Sequence, residues 1–192
     1  MTTNKVIPLK ERNIILTGFM GVGKTTIGQL IANKLYRDFI DVDQEIEKQH
    51  NMPVTEIFKS MGEKNFRQME KDYIVDLCYN SRLKIVSLGG GAFMQEEIRA
   101  ACLSTSIVFF LDLSWSSWKD RLHLIVDSRP VLQNKSLDDI ESLFAARQHV
   151  YEINNSKIST DDSDPEEVAD YIVRTLKLGW EMNDRSPFSQ SF

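Results

Sequence analysis

Apolar residues fall along this chain in two alternating patterns. Short runs rich in isoleucine, valine, leucine and phenylalanine alternate with longer stretches whose apolar positions recur every three or four residues. The short runs predict strands over 13–17, 38–42, 84–88, 106–111 and 157–160. The longer stretches predict helices over 24–36, 44–49, 54–61, 63–79, 96–102, 115–124, 137–153 and 165–176. Strands that alternate with helices imply an α/β sandwich around a parallel sheet. Short, β-branched strands suit the buried centre of such a sheet. Gly179 is expected to stop the last helix. The polar, aperiodic stretch 180–192 then reads as a disordered tail, which leaves a single domain over 1–179.

The turn after the first strand carries the strongest chemical signal. Gly18-Phe19-Met20-Gly21-Val22-Gly23-Lys24-Thr25 fits G-x-x-x-x-G-K-[ST], the phosphate-binding P-loop. Its context agrees, with Ile14-Ile15-Leu16 before it and a helical pattern after it. The glycines let backbone N–H groups converge on a phosphate, and the following helix adds the positive end of its dipole. Lys24 can reach the β- and γ-phosphates, and the Thr25 hydroxyl can ligate Mg²⁺.

Composition adds limits. The net charge of −5 argues against a general nucleic-acid binder, though not against a small anion held by a few focused cations. The only two cysteines, Cys78 and Cys102, are far apart in sequence and fit no metal or redox spacing, as expected of reduced thiols in a cytoplasmic protein. The polar residues 1–13 do not read as a signal peptide, and no apolar run is long enough for a membrane span.

Further candidates lie where strands end. Asp41 and Asp43 close the second predicted strand, where alternation would put both carboxylates on one side. One could serve Mg²⁺ and the other could take a proton from a substrate hydroxyl; the competing reading is a helix N-cap at Asp43. Gly89-Gly90-Gly91 directly follows the third strand and would let a ligand approach the backbone closely. Arg67 and Glu70 share a helix face, and from pattern alone they read as a solvated pair. The stretch 124–136, interrupted by Pro130, reads as a lid or as a plain connection. Arg129 within it, Arg121 before it and Arg147 after it offer planar forks suited to carboxylate or phosphate. His50, His123 and His149 show no metal spacing, and Trp115 and Trp118 read as packing residues.

Taken in order, GFMGVGKTT at 18–26, DVD at 41–43, GEKNFRQME at 62–70, SLGGGA at 87–92, RPVL at 129–132 and AARQHVY at 145–151 resemble the shikimate kinase family. The resemblance runs from about residue 13 to residue 178. It implies the nucleoside monophosphate kinase fold, a P-loop NTPase sandwich with a five-stranded parallel sheet in order 2-3-1-4-5. It implies ATP-dependent phosphorylation of the shikimate 3-hydroxyl, on the route to aromatic amino acids. Gly21, Val22, Gly23, Lys24, Thr25 and Thr26 would hold the ATP phosphates, with Arg121 near the adenine. Thr25 and Asp41 would serve Mg²⁺. Asp43 would bind shikimate and assist loss of its proton. Arg67 and Arg147 would grip the carboxylate, beside the Gly89, Gly90 and Gly91 backbone, with Phe58 and Phe66 walling the ring. Arg129 would swing in with the lid to stabilise the transferring phosphoryl group. The family resemblance further implies a cytoplasmic monomer that binds shikimate, ATP and ADP, with no nucleic-acid or membrane partner. Three other readings fit the P-loop: a kinase of gluconate or of a nucleoside monophosphate, a regulatory GTP-binding switch, and a catalytically silent nucleotide-binding subunit, against which Lys24, Asp43 and Arg129 together argue. The switch lacks a guanine-reading motif, because Asn134-Lys135-Ser136-Leu137-Asp138 has the wrong spacing.

Overall fold

The computed structural model describes residues 7–125, 130–132 and 135–185. Five strands, β1 Ile14–Thr17, β2 Asp38–Asp41, β3 Lys84–Ser87, β4 Ile107–Asp112 and β5 Ser156–Ser159, form one sheet. Their order is β2-β3-β1-β4-β5, and every pairing is parallel. In β1 every residue is buried, because helices cover both faces of the central strand. That is why its sequence is a solid apolar run rather than an alternating one. Ile14 lies opposite Ile85 on one side and Ile107 on the other.

Among the described residues eight α-helices surround the sheet: α1 Lys24–Leu35, α2 Val42–His50, α3 Val54–Asn80, α4 Glu96–Thr105, α5 Trp115–Asp120, α6 Leu122–Ile125, α7 Leu137–Tyr151 and α8 Pro165–Asp184. Helix α1 packs against α8, and α3 packs against α4. A kink at Gly62 (φ 83°, ψ 160°) divides α3 into the two helices expected from the sequence. Only glycine adopts that backbone conformation without strain. The described residues contain no helix long and apolar enough to cross a membrane.

Three expectations need correction. The strand before Asp43 ends at Asp41, so Asp43 stands in the first turn of α2 rather than on a strand. Asp41, not Asp43, caps that helix, accepting the Gln44 N–H at 3.3 Å from extended backbone that suits an N-cap. Gly179 does not stop α8, which continues through it to Asp184. The residue after it explains why: the Trp180 ring lies under the Arg37 guanidinium at 4.9 Å and packs on the core. That contact holds the turn despite a helical glycine's cost of about 1 kcal/mol. Of the expected tail, residues 186–192 lie outside the described residues.

The fold also joins what sequence separation hides. Cys78 on α3 and Cys102 on α4 are buried free thiols with their sulfurs 3.7 Å apart. Trp115 and Trp118 stack at 5.3 Å, as packing residues should. Asp164 caps α8 through the Glu166 N–H, whereas Asp161 binds the Ser114 N–H and hydroxyl at the start of α5.

Candidate active site

The site lies at the carboxyl end of the sheet, where connections from β1, β2 and β3 converge. The P-loop joins β1 to α1. Gly23 stands at the N-cap and offers no capping side chain, so the first turn's N–H groups remain available to an anion. Val22 is buried in the core beneath this turn. Lys24 is also buried, and its Nζ donates to the Gly18 and Phe19 carbonyls at 2.8 and 2.9 Å. The Thr25 hydroxyl donates to Asp41 Oδ2 at 2.7 Å, tying the start of α1 to the end of β2. Gly21, Gly23, Lys24, Thr25 and Thr26 line a cleft together with Asp41, Asp43, Gly89 and Gly90.

A second pocket adjoins this cleft and shares Asp43, Gly89 and Gly90 with it. Its other lining residues include Phe58, Phe66, Arg67, Glu70, Gly91 and Arg147. The Phe58 and Phe66 rings meet at 4.8 Å, and the Arg67 guanidinium lies 5.9 and 5.3 Å from their centroids. The two aromatic rings thus form an apolar wall beside a cation. A side chain at Gly89 or Gly91 would displace the charged groups of the site. A Cβ on Gly89 would stand 2.7 Å from both Asp43 Oδ1 and Glu70 Oε1, and one on Gly91 would stand 2.5 Å from Arg67 Nη2.

Arg67 and Glu70 are not the solvated pair that their spacing suggests. The Glu70 side chain is 0% exposed and accepts Arg67 Nη1 at 2.7 Å and Gln95 Nε2 at 3.1 Å, both on Oε2. Its Oε1 is buried with no hydrogen-bond partner among the described residues. The i,i+3 spacing gives a shared helix face but says nothing about what that face packs against. Burial pushes the Glu70 carboxyl up to about 6, against the opposing pull of Arg67.

This shift fixes a pH dependence of stability. Glu70 binds protons more tightly folded than at its ordinary value of 4.5, so its contribution is complete below pH 4.5 and lost as pH rises through about 6. Across that window the wild type should lose about 2 kcal/mol relative to Glu70→Gln, which carries no titrating group there. Urea unfolding of both proteins from pH 4.5 to 7.5 measures the difference. A gap that stays constant with pH would show that Glu70 does not titrate there.

Arg147 comes from α7 and is 8% exposed. Its Nη1 donates to the Gly90 carbonyl at 3.1 Å, and its guanidinium lies 5.6 Å from the Phe19 ring. Among the described residues no carboxylate hydrogen-bonds to it, and burial lowers its pKa. A buried cation without a carboxylate partner is costly unless an anion arrives to pair with it. Arg67 and Arg147 line one pocket, close enough for Arg67 to depress the Arg147 pKa further.

The remaining candidates are less central. Arg121 closes α5, half-buried, and lines neither cavity. Arg129 lies outside the described residues. Of the expected lid, Pro130–Leu132 forms a 3-10 turn, with Val131 on the second pocket and Leu132 buried. Sequence reasoning missed Met20, Val54 and Val131 as lining residues. It also missed Tyr151, whose hydroxyl donates to the Gly90 carbonyl. Apolar and aromatic residues at helical spacing carry no signal that separates a pocket wall from the core.

A P-loop cleft on a 2-3-1-4-5 sheet, opening into a pocket with paired arginines, defines a P-loop kinase of small anionic acceptors. The shikimate kinase family model matches residues 20–177. The chain is 62% identical to the shikimate kinase of Bacillus pumilus over 182 residues, covering 95% of this chain and 98% of that protein. It is 60% identical to that of Bacillus subtilis, with the same coverage. The crystal structure of the Acinetobacter baumannii shikimate kinase in complex with shikimate aligns with a TM-score of 0.82 at 29% identity, over 89% of this chain and 96% of that one. The chain belongs to the shikimate kinase family.

Proposed function

We propose that this protein transfers the γ-phosphate of ATP to the 3-hydroxyl of shikimate, yielding shikimate 3-phosphate and ADP for aromatic amino acid biosynthesis. Family membership supports the kinase chemistry and the acceptor. The reading of the site rests on the wall that the two cavities share: Asp43, Gly89 and Gly90 border both the P-loop cleft and the pocket with the two arginines.

The P-loop amides and Lys24 receive the β- and γ-phosphates. Lys24 is already held across the loop by two carbonyls, so little reorganisation is needed when the nucleotide binds. Thr25 and Asp41 present adjacent oxygen donors beside the loop, a set that suits Mg²⁺, which keeps much of its shell as water and phosphate oxygen. Bound there, the ion would neutralise charge on the phosphate oxygens. Arg67 and Arg147 pair with the shikimate carboxylate, and Phe58 and Phe66 cover its ring. Asp43, at the shared wall, accepts the 3-hydroxyl hydrogen bond and takes its proton as the oxygen attacks. Arg129 stabilises the transferring group from the lid. Arg121 is assigned to the adenine; in support, α5, which it closes, is joined to the P-loop by the Trp118 Nε1 bond to the Met20 carbonyl at 2.6 Å. The enzyme works in the cytoplasm, in keeping with its two free thiols, and is proposed to act as a monomer.

A coupled ADP-release assay with shikimate, gluconate and AMP tests the acceptor. Turnover is expected with shikimate alone. Faster turnover with gluconate or AMP would reassign the paired arginines to another acid or to a phosphate.

A further inference from the structure

The Gly90 carbonyl draws side-chain donors from α7. It accepts Arg147 Nη1 at 3.1 Å and also the Tyr151 hydroxyl. A carbonyl oxygen has two lone pairs, so both are used. Arg147 and Tyr151 lie one turn apart on α7 and therefore share a face. Tyr151 is fully buried, and its ring stacks on Phe110 of β4 at 5.3 Å and 28°. On its other flank Gly90 abuts the P-loop: a Cβ there would stand 3.0 Å from the Met20 nitrogen.

Three successive glycines carry more conformational freedom than any other tripeptide. A wall built from them needs an external restraint. Fixing the Gly90 carbonyl fixes the whole peptide plane, and with it the Gly91 N–H on the opposite edge. Gly91 in turn packs against the Arg67 guanidinium. One oxygen thus sets the backbone that borders both arginines.

We propose that Tyr151 is a positioning residue for the acceptor: its hydroxyl holds the Gly90 carbonyl, and through it the Gly89–Gly91 wall and Arg147, in the arrangement that receives the substrate carboxylate. This inference rests on the reading of the arginine pocket given above. Burial raises the phenol pKa well above its ordinary value of 10, so the hydroxyl remains a donor throughout the working pH range.

Three variants test the proposal through steady-state kinetics for shikimate and ATP, together with thermal midpoints. Tyr151→Phe keeps the ring and its stacking and removes only the hydroxyl. It is expected to raise the shikimate KM about five- to tenfold, with kcat and the ATP KM within about twofold of wild type. Phe110→Leu removes the stacking partner and keeps the hydroxyl; it should lower the thermal midpoint while the shikimate KM stays near wild type. A Tyr151→Phe shikimate KM within about twofold of wild type would overturn the proposal. So would a KM rise in Phe110→Leu matching that of Tyr151→Phe, since packing would then explain both. Arg147→Ala separates the two levels of inference. If it weakens shikimate binding while Tyr151→Phe does not, only the positioning role fails. If it leaves shikimate binding intact, the reading of the pocket fails and the positioning role with it.

Discussion

Arg147→Ala is expected to cost about 2–5 kcal/mol in kcat/KM for shikimate while leaving the ATP KM nearly unchanged. The structure gives a specific reason for a loss this large. The guanidinium is 8% exposed, lines the acceptor pocket and has a backbone carbonyl and an aromatic ring as its contacts, with no carboxylate hydrogen-bonded to it among the described residues. These contacts offset its desolvation in part, and an anionic substrate would supply the carboxylate pairing that the guanidinium otherwise lacks. Lysine should restore little, because a point charge cannot reproduce a fork that reaches the Gly90 carbonyl and a carboxylate together. The partner arginine should behave differently. Removing Arg67 strands Glu70, a fully buried carboxylate that it holds at 2.7 Å, so loss of folding stability should accompany loss of turnover. Kinetics and urea unfolding on both variants distinguish these outcomes. Near-normal kcat/KM in Arg147→Ala would remove the carboxylate from this pocket.

Asp43→Asn should lower kcat about 10²- to 10⁴-fold, with a much smaller change in the ATP KM. Asparagine keeps the size and much of the hydrogen bonding of aspartate, but it cannot take a proton. Asp43 stands in the first turn of α2 at the wall common to the phosphate cleft and the acceptor pocket. A carboxylate there can meet a hydroxyl aimed at the terminal phosphate. Phosphoryl transfer asks the protein mainly for alignment and charge neutralisation, so an uncompensated loss of the acceptor contact should appear in turnover. Comparable losses in kcat and in nucleotide affinity would place Asp43 on the nucleotide side instead.

Much of this arrangement is legible in the chain itself, for identifiable reasons. The central strands read as solid apolar runs because both faces of the sheet are covered, and the P-loop reads as a motif because phosphate and Mg²⁺ binding call for glycines, a lysine and a threonine at fixed spacing. Gly62 separates two helical patterns at the position where the backbone leaves helical geometry. Other features depend on tertiary contacts that no local pattern encodes. Glu70 looks solvated at i,i+3 from Arg67, yet helix α3 turns that face into the site. Gly179 looks like a helix stop, yet Trp180 finds a surface beside Arg37 that carries the helix onward. Asp43 looks like a strand end because the apolar pattern of β2 runs on to Val42, yet the strand stops at Asp41 and Val42 already begins α2. Tyr151 looks like an ordinary core aromatic, and only the folded chain brings its hydroxyl to Gly90.

The break at Gly62 has a mechanical consequence. Phe58 rides on the segment before it, whereas Phe66, Arg67 and Glu70 ride on the segment after it. The break therefore runs through the hydrophobic wall itself, with one ring on the first short rod and the other on the second beside the ionic clamp. A change of angle at this glycine would carry Phe58 outward and leave the arginine on its buried carboxylate.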